Sequence, residues 1–333
     1  MSQAPRHSLT QREAKTLARA CCLRQGASQA VADALTAATL AAEDRGLPAL
    51  GFAHLIDYLD GFCQGRIDPT AEPVLTRPAP ALIQSDARRG IAQLGFDRAF
   101  EDLCTTASDF GLSLFAQRAA FTSGELGYYT RRLARKGLVA LAFTNGPPLL
   151  APQGSSRALY STNPLAFAAQ AADGRLLSID QACSSTAFVS LLHAAETDSL
   201  IPEGWALDAA GQPTCNAREA VRGTLLAFGG ARGANIALMV EVLAAGITGA
   251  NWSLDAGDFR QGSSSPSAGL LVVAIAPRLL DDDFPRRLGR QLTRFADNGV
   301  YLPGLSKWQR WSAEQTPLIP LPSDLYLKLL ALS

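Results

Sequence analysis

Histidine is scarce in this chain, cysteine is scattered, and neither sign of charge is in excess. Of 333 residues only three are histidine (His7, His54 and His193) and six are cysteine. Cys21 and Cys22 are adjacent, Cys63, Cys104, Cys183 and Cys215 lie far apart, and no Cys-x-x-Cys pair occurs. Neither a disulfide framework nor a metal site is therefore expected. Lys and Arg number 30, Asp and Glu 30, and the formal net charge is zero, so nothing in the charge balance calls for nucleic acid. No polybasic patch flanks an apolar helix and no apolar run approaches a bilayer span, so no membrane partner is expected. The opening MSQAPRHSLTQREA lacks an apolar signal core. A cytoplasmic protein with reduced, buried cysteines is the expectation. No Gly-x-Gly-x-x-Gly follows a strand, and there is no Walker A sequence and no Gly-x-Ser-x-Gly elbow. These absences argue against an ordinary Rossmann domain, a P-loop and a nucleophile elbow.

What is present is a globular pattern. Hydrophobic residues make up 47% and charged residues 18%, which excludes extended disorder. The length fits about two domains at roughly 150 residues each. Residues 8–45 read as two helices, the first opened by Ser8 or by Thr10 with Glu13 at capping-box spacing, the second by Ser28. Leu50, His54, Leu55, Tyr58 and Leu59 predict a third helix ending near Gly61. Residues 73–80 are proline-rich and extended, 81–85 and 112–116 are strand-like, and 96–108 is helical. A loop over 118–127 holds Thr122, Ser123 and Gly124, and a basic helix follows over 128–136. The apolar run 138–144 suits a strand buried on both faces. Further strands are expected at 165–168, 176–180 and 270–275. Further helices are expected from Ser184 or Ser185 to about Glu196, over 233–245 and over 284–298. Strands alternating with helices make this an α/β protein.

Three segments have the chemistry of ligand sites. Phe228-Gly229-Gly230-Ala231-Arg232-Gly233 precedes a helix; its glycines admit close backbone approach and Arg232 offers a planar cationic fork, although a plain tight turn with a solvated arginine reads the same. In Tyr160-Ser161-Thr162-Asn163-Pro164, Thr162 and Asn163 can hydrogen-bond a small carboxylate, or can form an ordinary turn. Asp180-Gln181-Ala182 lies where a strand ends, the place at which α/β sheets bind ligands, or else caps a helix. On the third helix Leu50, His54 and Tyr58 share one face.

Taken together, these segments resemble the malate/L-lactate dehydrogenase type-2 family, which includes the Δ1-piperideine-2-carboxylate/Δ1-pyrroline-2-carboxylate reductases. The resemblance is carried by Ala42-Glu43-Asp44-Arg45-Gly46, Gly137-Leu138-Val139-Ala140 before Thr144-Asn145, and Ala151-Pro152-Gln153-Gly154. It is carried further by Thr162-Asn163-Pro164-Leu165-Ala166-Phe167, Ile201-Pro202-Glu203-Gly204-Trp205-Ala206, Gly211-Gln212-Pro213-Thr214 and the run from Phe228 to Glu241. Thr248-Gly249-Ala250-Asn251-Trp252-Ser253 looks closer to the cyclic-imine reductases. The resemblance implies a non-Rossmann NAD(P)-binding α/β fold with an N-terminal helical segment, a homodimer, NADPH or NADH as cofactor and a small-molecule substrate. It implies three parts: a helical segment over 1–70 that contributes to the substrate site and the dimer, a substrate and dimerisation domain over 71–120 and 250–333, and an NAD(P)-binding domain over 121–249. By position the cofactor meets Thr122, Ser123, Gly124, Glu125, Leu126, Asp180, Gln181, Ala182, Ala231, Arg232, Pro303 and Gly304, with Lys307 and Arg310 as further candidates for a cofactor phosphate. Substrate meets Thr162, His54 and Tyr58.

The departures from the family pattern bear on mechanism. Where relatives carry Ser-His-Gly on the third helix, this chain has Ala49-Leu50-Gly51. The reductases' partner aspartate is Ser190 here, a substrate-binding arginine is His54, and a histidine of the cofactor loop is Thr122. Ketone reduction creates an alkoxide that needs a proton donor, worth about 10²–10⁴ in rate. A protonated cyclic imine already carries its charge, so hydride addition needs orientation and desolvation more than an acid. The expectation is an NAD(P)H-dependent reductase of a cyclic imine or related C=N substrate, with His54 as substitute acid or carboxylate binder. A catalytically silent member that binds a ligand, or a non-redox isomerase or cyclase, is the alternative.

Overall fold

Local signals set the first elements. The computed structural model describes residues 6–305 and 318–333. After strand β1 (Arg6–Leu9), the Thr10 hydroxyl accepts from the Glu13 N–H at 3.2 Å, and the Glu13 carboxylate accepts from the Thr10 N–H at 2.8 Å. This reciprocal box starts helix α1 (Gln11–Arg24) where the spacing predicts. Ser28 caps α2 (Gln29–Asp44), and α3 (Phe52–Cys63) follows.

A hairpin of β2 (Val74–Ala79) and β3 (Leu82–Asp86) leads into α4 (Ala92–Phe110), β4 (Leu112–Ala120), α5 (Gly127–Ala134) and β5 (Val139–Thr144). Next come β6 (Leu150–Ala151), β7 (Leu165–Gln170), β8 (Leu176–Gln181), α6 (Phe188–Glu196), β9 (Ala206–Leu207), β10 (Pro213–Thr214), α7 (Ala217–Arg222) and β11 (Thr224–Leu226). Helix α8 (Ala231–Glu241) runs into a π-helical turn over Val242–Gly246, followed by β12 (Ala268–Ile275), α9 (Phe284–Asp297), β13 (Ile319–Pro322) and α10 (Ser323–Leu332).

Seven strands form the central sheet in the order β2-β3-β4-β12-β5-β7-β8. Only β3 and β4 pair in parallel; every other neighbouring pair in this sheet is antiparallel. The predominance of antiparallel pairing sets it apart from a doubly wound parallel sheet, in keeping with the missing glycine fingerprint. Strands β10-β9-β11-β6 form a smaller second sheet, and β1 pairs with β13, which brings the two described ends of the chain together.

Both faces of the central sheet are covered. Phe96 of α4 and Tyr129 and Leu133 of α5 pack with Phe115, Ala140, Ala142 and Val272 on one face. Ala237, Val240 and Ala244 pack with Phe143 and Leu271 on the other. Alternate residues of β5 and β12 thus enter opposite cores, as the apolar run 138–144 predicts. Glycine is required at Gly269, where a Cβ would lie 1.8 Å from the Ala244 carbonyl oxygen of the π turn. The N-terminal helices form a third core with Phe121 and Leu329.

Several expectations are corrected. Residues 118–120 extend β4 rather than belonging to the loop. Ser184 and Ser185 do not open α6, which starts behind Ala187. Ser184 instead bridges Ala227, and the Ser185 N–H donates to the Leu226 carbonyl. Helix α8 begins at Ala231, two residues early, because Gly230 at φ +62° makes the turn.

Thr10→Ala removes the box that starts α1. It should lower stability by about 1 kcal/mol. The check is a urea titration whose midpoint falls at constant slope.

Candidate active site

The N-terminus of α3 is held by α2. The Glu43 carboxylate accepts from the Phe52 N–H at 2.8 Å, and a Cβ on Gly51 would lie 2.2 Å from that carboxylate, so the Leu50-Gly51 step leaves no room for a side chain at 51. Burial pushes the Glu43 carboxyl up from its ordinary value, against this hydrogen bond.

One turn further along α3, His54 Nδ1 lies 2.8 Å from Asp57 Oδ2, and Nε2 lies 3.1 Å from the Thr122 hydroxyl. The Tyr58 hydroxyl donates to the Thr122 carbonyl at 2.9 Å. It stands within 2.9 Å of both the Thr122 hydroxyl and Gln93 Nε2. Gln93 Nε2 and the Tyr129 hydroxyl both donate to the Ser123 carbonyl, at 3.1 and 2.7 Å. Burial pushes the Tyr58 phenol up to about 12, so it stays a neutral hydrogen-bonding group. Burial alone would raise Asp57, but the His54 hydrogen bond and the Arg260 guanidinium 3.3 Å from Oδ1 hold its carboxyl below the ordinary range. Phe259 sets its ring edge-on to His54, at 6.0 Å between centroids.

The loop after β4 turns at Gly124, whose φ is +66°. Its Glu125 forms a buried two-pronged ion pair with Arg131 of α5 at 2.6 and 2.7 Å. Leu126 is buried in front of α5. At the end of β8, Asp180 Oδ2 accepts from the Gly127 N–H at 2.7 Å. Asp180 as a residue is open to solvent, yet this carboxyl group is turned against the α5 N-terminus. The surrounding protein pushes it up to about 6, and the Glu125 charge adds to the shift. Pro303 and Gly304 run along the outer edge of β8: the Ser178 N–H donates to the Pro303 carbonyl at 3.1 Å, and Gly304 has φ +90°.

Backbone contacts join the remaining segments. The Cys183 N–H donates to the Thr162 carbonyl at 2.8 Å and the Phe228 N–H to the Cys183 carbonyl at 3.0 Å, so Gln181 and Ala182 lead directly to both other candidate segments. Asn163 is not available to a ligand. It is buried at φ +40°, with its amide donating to the Ala237 carbonyl and to Glu241 at 2.8 and 2.7 Å. Glu241 also accepts from the Ser253 N–H and hydroxyl at 2.6 and 2.7 Å. Thr162, half-buried beside this clamp, keeps a hydroxyl with no hydrogen bond among the described residues.

The exposed residues Ala231 and Arg232 open α8. No side chain caps its first turn, and Arg232 has no ion-pair partner among the described residues. A cleft of about 440 Å³ lies beside them, lined by Gln153, Ser155, Ser185, Gly229 and Gly230 among others. Free backbone N–H groups next to an unpaired guanidinium are donors suited to a dinucleotide's phosphates, so the residues present fit such a group. Lys307 and Arg310 lie outside the described residues.

Asp57, Gln93 and Arg260 were not singled out by the sequence. Asp57 was within reach of sequence reasoning, because it stands three residues from His54 on the same helix. Gln93 and Arg260 come from other elements and carried no local signal. The elevated Asp180 carboxyl carries a pH signature. Its charged form is disfavoured in the fold, so the native state loses stability as pH rises from the ordinary carboxyl range through about 6. The melting temperature of Asp180→Asn relative to the parent should therefore climb from about pH 4 to about pH 6 and level off above, as thermal melts across that range would record.

The chain matches the malate/L-lactate dehydrogenase family over residues 9–330. It is 36% identical over 295 residues to a (2R)-3-sulfolactate dehydrogenase (NADP(+)) of Chromohalobacter salexigens, covering 88% of each chain. It is 32% identical over 309 residues to a Δ1-pyrroline-2-carboxylate/Δ1-piperideine-2-carboxylate reductase of Pseudomonas aeruginosa, covering 91% of each. The crystal structure of Δ1-piperideine-2-carboxylate reductase from Pseudomonas syringae pvar. tomato superposes with a TM-score of 0.92 at 30% identity, over 98% of this chain and 100% of that one. A family match over nearly the whole length, with fold agreement to the same extent, shows that the chain belongs to the malate/L-lactate dehydrogenase family.

Proposed function

We propose that the chain is an NADPH-dependent reductase of a cyclic imine carboxylate of the Δ1-pyrroline-2-carboxylate or Δ1-piperideine-2-carboxylate class. One observation carries the reading. The position that resembles the family's acid is Leu50, while His54 one turn away is held by Asp57 and faces the Thr122 loop. A site arranged in this way suits a C=N carbon that needs little acid assistance better than a ketone that needs much. The P. aeruginosa relative, a reductase of this substrate class, supports the choice, and the sulfolactate enzyme's NADP(+) supports NADPH over NADH.

When bound, the dinucleotide supplies the hydride. The chain's own residues bind and orient. Thr122, Ser123, Gly124, Glu125 and Leu126 form one wall for the dinucleotide, Asp180, Gln181 and Ala182 a second, and Pro303 and Gly304 a rim. Ala231 and Arg232 receive phosphate. Thr162 offers its free hydroxyl to the substrate carboxylate, with His54 and Tyr58 on the opposite side. In this reading residues 121–249 form the cofactor lobe, 71–120 with 250–333 the substrate and dimerisation part, and 1–70 a helical contribution to both site and dimer. The chain works as a cytoplasmic homodimer. The exposed apolar side chains Leu238, Met239, Val242, Ile247, Trp252 and Leu254, clustered in sequence over α8 and the turns after it, supply area for a second copy.

The test is purified protein with NADPH and each substrate, followed by loss of nicotinamide absorbance. The cyclic imines should be reduced at least about 100-fold faster than malate-type or lactate-type keto acids, the discrimination expected of a site lacking a dedicated alkoxide acid. Normal NADPH binding with no imine turnover above buffer would remove the substrate assignment, and no binding of either dinucleotide would favour a silent member. Arg232→Ala should weaken NADPH roughly tenfold in calorimetry, the loss of one charge-assisted contact.

A further inference from the structure

We propose that Asp57, His54 and Thr122 form a proton relay whose outlet is the Thr122 hydroxyl, with Asp57 as the positioning residue that fixes which imidazole nitrogen faces the loop. The substrate named in it rests on the reductase reading; the hydrogen-bond logic does not.

The argument is a count of protons. Tyr58 has one hydroxyl proton, and it is committed to the Thr122 carbonyl at 2.9 Å. The Tyr58 oxygen accepts from Gln93 Nε2 at 2.9 Å. Asp57 stays a carboxylate, so it can only accept, and the hydrogen at His54 Nδ1 is given to it at 2.8 Å. That leaves the Thr122 hydroxyl with two neighbours, Tyr58 Oη at 2.9 Å and His54 Nε2 at 3.1 Å. If His54 is neutral, Nε2 is an acceptor and the Thr122 proton points at it. If His54 is an imidazolium, Nε2–H donates to the Thr122 oxygen and the Thr122 proton swings to Tyr58. Both states pair the Tyr58 and Thr122 hydroxyls and both His54 ring nitrogens, and a single hydroxyl rotation separates them with no movement of heavy atoms. Such a site stores a proton without the cost of a buried unpaired group.

The outlet follows from exposure. Tyr58 is sealed, whereas Thr122 is half-buried on the loop proposed to face the cofactor. A neutral cyclic imine takes the Thr122 proton on its nitrogen, His54 Nε2 replaces that proton, and hydride then adds to the carbon of the resulting iminium as its C=N electron pair moves to nitrogen. Solution returns one proton to His54. Asp57 remains ionised throughout, and NADPH, the reductant named above, supplies the two electrons. Leu50 stands in the turn before α3, four residues ahead of His54. A hydroxyl bridge extends the displaced imidazole's reach.

The charged and titratable groups facing this set are Asp57 and Tyr58 on α3 and Arg260, whose guanidinium pairs with Asp57. Asp60 and Lys328 line the surface cleft of about 330 Å³ behind Asp57. Arg260 holds the carboxylate against that cleft and leaves its other oxygen to His54.

The experiment uses the full chain labelled with ¹⁵N-histidine, with His54 assigned through His54→Gln. In the unliganded parent, the neutral His54 ring should carry its hydrogen on Nδ1, and Thr122→Val should displace the Nε2 signal. Asp57→Asn should lose the preference for that tautomer. In turnover, Thr122→Ser should stay within about threefold of the parent and Thr122→Val should fall on the order of 100-fold in kcat, well beyond any change in KM for NADPH. An Nε2–H tautomer in the parent, or a Thr122→Val enzyme as fast as the parent, overturns the relay. Absence of imine reduction with normal tautomer behaviour overturns the substrate reading alone. If a variant does not fold, the tautomer of the unmodified protein decides.

Discussion

The attachment of the loop after β4 to helix α3 is the constraint on which the rest of the site depends. Tyr58, Gln93 and Tyr129, from three different helices, all place their polar ends on the Thr122-Ser123 backbone. The rings of Tyr58 and Tyr129 are buried, so each hydroxyl is a polar end at the edge of an apolar core. Leaving any of these groups unpaired there would cost far more than the bond itself contributes. The loop is therefore held in one place, and His54 faces it by necessity.

The same principle works at the other walls. Glu125 and Arg131 are both buried, and their two parallel contacts satisfy charges that would be costly alone. Glu241 gathers Asn163, Ser253 and, through the Ser253 hydroxyl, the Ser161 N–H into one closed network. Thr162 is the residue in that stretch whose hydroxyl is left over. Buried polar groups here position the few polar groups that remain unspent, at Thr162, Arg232 and the first turn of α8.

Family membership and the departures from the family pattern are compatible once the network is seen. The strand framework and turns that shape the cleft are held by packing and backbone pairing, which tolerate changes at the reacting face. In the proposed reading, the changes at Leu50, Ser190, His54 and Thr122 leave that frame undisturbed. The hydroxyl at 122 meets the His54 imidazole on the half-buried side of the loop.

Much of the architecture was legible in the sequence because its causes are local. The Thr10 and Glu13 box, the Ser28 cap, the apolar run 138–144 and the glycines around 229 and 230 each act within a few residues, and each appears where the sequence puts it. The errors arose where distant pairing overrode local preference: Ser184 was taken into a bridge with Ala227, and residues 118–120 into β4 between β3 and β12. Asn163, legible as a ligand group, was consumed by Glu241 at a separation of 78 residues. Composition and motif decided by themselves that the chain would be a globular α/β protein with a dinucleotide-like turn and without a Rossmann fingerprint. Only the tertiary structure decided that His54 would meet Thr122 across 68 residues and that Arg260 would clamp Asp57, because neither contact lowers the energy of any local segment.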